Sequence, residues 1–187
     1  MCMVIDANSI SHVFSHSDSM HVLYRPVLQW FLFGKAKICV GGTKYKKEVF
    51  NGACSYLSFF KELGNLGKIH YIEDSKVDEL QRKIEKAENN AGFDDPHVIA
   101  LLIASHAKVL CSEDCRSFRF VAKIKQYEKN AEKPLIFTSG NNHDPHNEIL
   151  CDKNICNLGD HKRLPRSTAK KIWDAIERDC SQENKRK

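Results

Sequence analysis

Four carboxylates stand in the sequence where apolar segments end or begin. Asp6 and Asp114 follow the apolar runs MVI and VLC, Asp95 precedes the run VIALLIA, and Glu48 lies in the segment after KICVGG. Two carboxylates about 4 Å apart repel each other by about 4 kcal/mol at an effective dielectric of about 20. A buried group of carboxylates therefore either raises its pKa values or binds a divalent cation. Ligands that are all oxygen suit Mg²⁺ or Mn²⁺.

Each acid also has an ordinary structural alternative. Asp95 stands directly before Pro96, and this pair is typical of a helix N-cap followed by the first helical residue. Asp114 is a common turn residue, and Glu48 could be a charge on an exposed helix face. Asp6 has no capping role beyond the next helix. The order and spacing of the four acids favour a shared site more than any one of them does.

A second candidate site lies in a polar segment that is rich in histidine and cysteine. Structural zinc sites contain closely spaced cysteine pairs, whereas the nearest pair here has four residues between its cysteines. A zinc site and a polar loop both remain open. The candidate zinc ligands are His143, His146, Cys151, Cys156 and His161.

Basic residues close in sequence to the acids are candidates for contact with phosphate groups. They are Lys44, Lys47 and Arg116, and a solvated charged surface is the alternative. His97 lies two residues after Asp95 on the apolar segment. We expect it at the edge of the core, close enough to Asp95 to touch a substrate.

The elements that must position these side chains alternate between strands and helices. This alternation predicts βαβ units and a three-layer α/β/α fold with a central, mostly parallel sheet. In such sheets ligands bind at the carboxyl ends of the strands, which is where Asp6 and Asp114 are predicted. The predicted strands are 3–5, 37–40, 69–72, 109–111 and 135–138. The predicted helices are 22–33, one from Thr43, 54–63, 75–88, one from Pro96, 118–129 and 168–178.

Composition limits the class of protein. The 187 residues are 42% hydrophobic and 28% charged, which excludes a wholly disordered chain. No apolar run is long enough to span a membrane. The 29 basic and 24 acidic residues give a net charge of +5, which permits binding to a polyanion. Because the first residues do not resemble a signal peptide, we expect a cytoplasmic protein whose eight cysteines are reduced.

Four segments of the sequence resemble motifs of the PIN-domain family of metal-dependent ribonucleases. They are VIDANSI at 4–10, GGTKYKKEV at 41–49, DDPHVIALLIAS at 94–105 and VLCSEDCRSF at 109–118. The positions that match the family are Asp6 and Asn8 in the first segment, Glu48 in the second, Asp95 in the third, and Ser112, Asp114 and Phe118 in the fourth. Each motif alone is short, and the ordered set is more specific. The resemblance covers about residues 3–140.

The resemblance implies a fold, a cofactor and a reaction. It implies helices around a central parallel sheet and an RNA substrate. The four acids would hold one or two Mg²⁺ or Mn²⁺ ions that activate a water and stabilise the departing 3′-oxygen of a phosphodiester. Asn8 and Ser112 would orient the carboxylates. Homodimerisation is also typical of the family.

The resemblance also has limits. Asp94 competes with Asp95 for the third position, and Phe118 follows its acid later than is usual. The match defines a PIN-like nuclease domain over 1–140. The remaining residues, 141–187, are predicted to form the polar His/Cys-rich segment, an amphipathic helix and a basic tail, packed on the same domain.

Other functions remain open at this point. A phosphatase of the haloacid-dehalogenase type also begins with an acid at a strand end, but it needs an acid or threonine where Asn8 stands. A catalytically inactive PIN-like module that binds RNA or a protein partner is the second alternative. For an active ribonuclease, the setting could be a toxin with an inhibitory antitoxin-like partner, an antiviral defence complex or RNA processing.

Overall fold

A five-stranded sheet forms the centre of the described part of the chain. The computed structural model describes residues 2–52, 57–88, 92–141, 148–154 and 162–178 of the chain. The strands are β1 (Cys2–Ile5), β2 (Lys37–Val40), β3 (Ile69–Tyr71), β4 (Val109–Cys111) and β5 (Leu135–Phe137). They lie in the order β3-β2-β1-β4-β5, and every neighbouring pair is parallel. The predicted α/β fold with a parallel sheet between helices is confirmed.

Helices connect the strands and cover the sheet. They are α1 (Ile10–Phe14), α2 (His21–Phe33), α3 (Thr43–Gly52), α4 (Leu57–Asn65), α5 (Asp74–Ala87), α6 (Pro96–Ser105), α7 (Cys115–Val121), α8 (Ile124–Tyr127) and α9 (Arg166–Arg178). All ten residues of α6 are buried, because this helix is apolar on every side. None of the described helices combines the length and the apolar character needed to cross a membrane.

The strand order places a crevice beside β1. The chain adds β2 and β3 on one side of β1 and then returns to add β4 and β5 on the other side. Ile5 pairs with Cys111 at the carboxyl ends of β1 and β4. These two ends border the point where the strand order reverses, which is where open α/β sheets bind their ligands.

The prediction of one helix over 118–129 is wrong. Two helices, α7 and α8, occupy this stretch, and α7 begins earlier because the Asp114 carboxylate caps it, accepting the backbone N–H of Arg116 at 3.0 Å. After α7 the N–H of Lys123 bonds to the carbonyl of Phe120 at 3.0 Å. This bond spans three residues instead of four, so it tightens the turn and ends the regular helix.

The oxidation state of the cysteines matches the expectation of reduced thiols only in part. Cys39, Cys111, Cys115 and Cys151 are free thiols. Cys2 is disulfide-bonded, so the prediction that all eight cysteines are reduced is wrong at that position.

The C-terminal helix α9 packs against α2. Glu177 of α9 accepts a hydrogen bond from the Arg25 guanidinium at 2.9 Å, and His21 lies 3.5 Å from the same carboxylate oxygen. Trp173 packs on the ring of Phe33, with 6.1 Å between the ring centroids. Ala169, Ile172 and Ile176 of α9 are buried as well, so the predicted amphipathic helix packs one face against the rest of the fold.

Lys68 is buried next to the start of β3. Its side chain is 1% exposed, and its Nζ donates to the carbonyl oxygens of Gly34 at 2.9 Å and Ala36 at 3.2 Å. Burial lowers the pKa of Lys68 from 10.5 to about 8. Above that pH the unfolded chain binds more protons at this residue than the folded chain does, so its contribution to stability rises with pH.

We expect Lys68→Met to remove this part of the pH dependence. Between pH 8 and 10 the unfolding free energy of the native sequence should rise relative to that of the variant, by at most about 3 kcal/mol. Urea unfolding at a series of pH values measures the difference. The exposed Lys61 of α4 supplies the control variant Lys61→Met. If the unfolding free energies of the native sequence and Lys68→Met change in parallel with pH, the lowered pKa of Lys68 is contradicted.

Candidate active site

Asp6 lies at the carboxyl end of β1, where the strand order reverses. Its side chain is 4% exposed. The Ser112 hydroxyl donates to Asp6 Oδ2 at 2.7 Å, and the Asp6 N–H donates to the carbonyl of Cys111 at 2.9 Å. Burial raises the pKa of Asp6, although the hydrogen bonds from Ser112 and from the Asn8 backbone oppose that shift. The site therefore holds a buried carboxyl whose negative charge is only partly compensated.

Ser112 also joins Asp6 to Asp114. The backbone N–H of Asp114 donates to Ser112 Oγ at 3.0 Å. On the other side, Nε and Nη2 of Arg116 donate to the two Asp114 carboxylate oxygens at 2.9 and 3.0 Å. Arg116 is the main reason that the pKa of Asp114 is lowered. One serine hydroxyl thus links a buried acid to an acid that carries its own counter-ion.

Glu48, Asp95 and His97 form the other half of the site. One donor atom of each residue lies within 4.8 Å of the others. His97 is 1% exposed, and its Nε2 lies 2.8 Å from Glu48 Oε2. Burial lowers the pKa of His97 to about 3, so the imidazole is neutral and the contact is a hydrogen bond from Nε2–H to the carboxylate. This group could hold a metal ion.

Asp95 connects the two halves electrostatically. Burial, followed by repulsion from Asp6, Asp114 and Glu48, raises its pKa from 3.8 to about 6. Its side chain makes no capping hydrogen bond to α6, although it precedes Pro96 at the start of that helix. The carboxylate is therefore not occupied by the structural role that the sequence left open for it.

The structure thus brings all four predicted acids to one edge of the sheet. Burial and, to a smaller extent, repulsion from Asp6 raise the pKa of Glu48, and Lys44 opposes the shift. Lys44 Nζ lies 3.9 Å from Glu48 Oε1. A cation fits this donor set, because it would replace proton binding as the means of relieving repulsion among the carboxylates.

The residues next to the four acids lie in different environments. The Asn8 side chain is exposed, and its backbone N–H is the group that reaches Asp6. The Asp94 side chain is 58% exposed and lies 3.4 Å from Arg116 Nη1, outside the group formed by its neighbour Asp95. The Asp94 carbonyl accepts a hydrogen bond from Lys44 Nζ at 2.9 Å. Ser112 makes the contact with Asp6 that an orienting role requires.

A basic groove opens beside Glu48, between α3 and α5. It has a volume of about 520 Å³ and is lined by Thr43, Lys44, Lys47, Asp78, Gln81 and Arg82. Its one acid, Asp78, is occupied, because it accepts hydrogen bonds from the Thr43 N–H and hydroxyl at 2.8 and 2.6 Å. Within the described part of the chain, neither Lys47 nor Arg82 pairs with a carboxylate.

Two residues have contacts that sequence reasoning did not find. His97 was expected at the edge of the core and is instead fully buried against Glu48; the signal available was its position two residues after Asp95. Glu113 lies between Ser112 and Asp114 but turns away from them, to accept hydrogen bonds from the Tyr24 hydroxyl and from Ser139.

The candidate zinc ligands lie mostly outside the described residues. His143, His146, Cys156 and His161 belong to the undescribed segments. Cys151 is described, and its thiol donates to the carbonyl of Glu148 at 3.0 Å. The zinc hypothesis therefore stays a prediction.

Comparison with known proteins does not assign the chain to a family. No protein-family model, no curated protein and no solved structure matches it.

Proposed function

We propose that the protein is a metal-dependent endoribonuclease of the PIN type. The observation that carries the proposal is the meeting of Asp6, Glu48, Asp95 and Asp114 at one edge of the sheet, where the other three carboxylates are close enough to repel Asp95. Such a group is costly to keep in a fold unless it binds a cation. Its position at the strand-order reversal supports a ligand-binding role.

The cation of this proposal is Mg²⁺ or Mn²⁺, held by Asp6, Glu48, Asp95 and Asp114. When bound, it would activate a water and stabilise the negative charge on the departing 3′-oxygen. Ser112 would keep Asp6 and Asp114 in fixed relative positions through its two hydrogen bonds. No side chain needs to act as a nucleophile.

The groove next to Glu48 supports a nucleic acid as the substrate. Among the described residues neither Lys47 nor Arg82 forms an ion pair with a carboxylate, and Lys44 lies between the groove and the acids. Phosphate contacts from such side chains position a nucleic acid without reading its sequence. Arg116 is less available, because Asp114 already binds its guanidinium.

The proposal is tested by incubating the purified protein with a pool of single-stranded RNA and tRNA. Cleavage is expected with Mn²⁺ or Mg²⁺ and should stop when EDTA is added. Cleavage that continues in EDTA would contradict the proposed site. Binding of RNA without any cleavage would instead support the inactive module.

We expect the groove to make two phosphate contacts. For single-stranded RNA the slope of log K against log salt falls by about 0.7 for each phosphate neutralised. Lys47→Ala and Arg82→Ala should each weaken binding and each reduce the magnitude of the slope by about that amount. Fluorescence anisotropy in an Asp6→Asn background measures binding without cleavage.

The matched control for this experiment is Lys83→Ala. Lys83 lies on the same helix as Arg82, and it pairs with Glu79 at 2.7 Å instead of lining the groove. Its removal should leave the slope unchanged. Equal slopes for all the variants would show that the groove does not contact RNA.

A further inference from the structure

His97 occupies an unusual position for a histidine. It lies in the first turn of α6, is 1% exposed and directs Nε2 at Glu48 Oε2, 2.8 Å away. The other ring nitrogen, Nδ1, is buried and has no hydrogen-bond partner among the described residues. Among the described residues, the contact of Nε2 with Glu48 is therefore the one hydrogen bond of the imidazole, and it points the ring at the acids.

The distances around Nε2 fit a shared ion. Adjacent ligands of an ion with bonds of about 2.1 Å at right angles lie about 3 Å apart. The separation between Nε2 and Glu48 Oε2 is close to this, and the Asp95 donor atom completes a group within 4.8 Å. Without an ion, Nε2 and Glu48 Oε2 are at hydrogen-bond distance, and an ion bound at Nε2 would displace the shared proton.

We propose that His97 is a nitrogen ligand of the cation, together with Glu48 and Asp95, and that it makes the site prefer first-row transition cations to Mg²⁺. Imidazole nitrogen suits transition metals, whereas Mg²⁺ binds through oxygen and retains its waters. The inference rests on the cation site of the proposed function and adds the choice of metal. It predicts that Mn²⁺ binds more tightly than Mg²⁺ because of one side chain.

Electron spin-echo spectroscopy with Mn²⁺ as the probe tests the ligand directly. The full chain in a nitrogen-free buffer should show modulation from a directly bound ¹⁴N nucleus. His97→Asn should lose this modulation and bind Mn²⁺ at least about 100-fold more weakly, because the loss of residues that only orient metal ligands already costs about 10–100-fold. Mg²⁺ affinity, measured by competition, should change less than threefold.

Two controls make the result interpretable. His70→Asn removes a half-buried histidine from the edge strand β3 and should retain the ¹⁴N signal. Circular dichroism checks that His97→Asn folds, and His97→Gln provides a second variant. Mn²⁺ bound without nitrogen modulation would overturn the inference and leave the proposed nuclease intact. Absence of Mn²⁺ binding in the native chain would overturn both.

Discussion

Asp6→Asn should reduce metal-dependent RNA cleavage at least about 100-fold while the protein remains folded. The substitution removes one negative charge from the centre of the site and keeps the shape of the side chain. Loss of residues that only orient metal ligands already costs about 10–100-fold, so loss of a ligand should cost more. The Ser112 hydroxyl can still donate to the amide oxygen of asparagine, as it does to Asp6 Oδ2 in the native site.

The stability of Asp6→Asn separates a functional loss from misfolding. Because burial raises the pKa of Asp6, the ionised carboxylate is unfavourable in the folded state at neutral pH. The neutral amide should therefore leave the melting temperature unchanged or higher. Asp174→Asn, on the surface of α9, is the control and should retain full activity. Full activity of Asp6→Asn would place catalysis elsewhere.

Asp95→Asn should stabilise the protein at neutral pH and abolish cation binding. The pKa of Asp95 is raised from 3.8 to about 6, so the folded state holds this proton more tightly than the unfolded chain. Stability contributed by Asp95 is therefore present at low pH and is lost as pH rises from about 4 to 6. Above pH 6 the charged carboxylate costs about 2–3 kcal/mol, which the amide avoids.

The expected rise in melting temperature for Asp95→Asn is about 4–12 °C at pH 7.5, at about 2–4 °C per kcal/mol for a chain of this size. Differential scanning calorimetry with and without Mn²⁺ measures it. Added Mn²⁺ should raise the melting temperature of the native chain and leave that of the variant unchanged. Asp94→Asn is a matched control, since the Asp94 side chain is 58% exposed. Its melting temperature should differ little from that of the native chain. A lower melting temperature for Asp95→Asn would show that the ionised Asp95 carboxylate does not destabilise the folded state.

Local sequence pattern was sufficient to predict the fold and to place Asp6, Asp95 and Asp114 at the ends of strands or helices. The strands 37–40 and 109–111 were predicted with the bounds that the structure has, because each is a short apolar run with polar residues or glycines after it. The acids that follow or precede such runs must lie at element ends. In a parallel sheet these ends share an edge, so the meeting of Asp6 and Asp114 follows from topology.

Contacts between distant segments could not be predicted in this way. His97 meets Glu48 across 49 positions of the chain, and Tyr24 meets Glu113 across 89. Neither pair has a periodic or spacing signal, because each depends on how α6 or α2 packs against the sheet. Arg116 and Asp114 are only two positions apart, and their contact was missed because the helix that Asp114 caps was predicted to begin later, at Phe118.

The break between α7 and α8 was missed for a different reason. The stretch from Phe118 to Lys129 contains no glycine or proline, so propensity alone favours a continuous helix. The helix instead begins three residues earlier, at the Asp114 cap, and ends in the tight turn at Lys123. The Asp114 cap makes the helix begin earlier than predicted, and the helix also ends earlier.

The chemical ends of the RNA products test the central claim most directly. Hydrolysis by a water activated at the four-carboxylate site predicts products with 5′-phosphate and 3′-hydroxyl ends, formed only with Mn²⁺ or Mg²⁺ and absent with Asp6→Asn. Mass spectrometry of a defined oligonucleotide distinguishes these ends from 2′,3′-cyclic phosphates. Cyclic phosphate ends would show that the RNA 2′-hydroxyl is the nucleophile, and cleavage in EDTA would show that no divalent cation is needed. Either result would contradict a metal-activated water at this site.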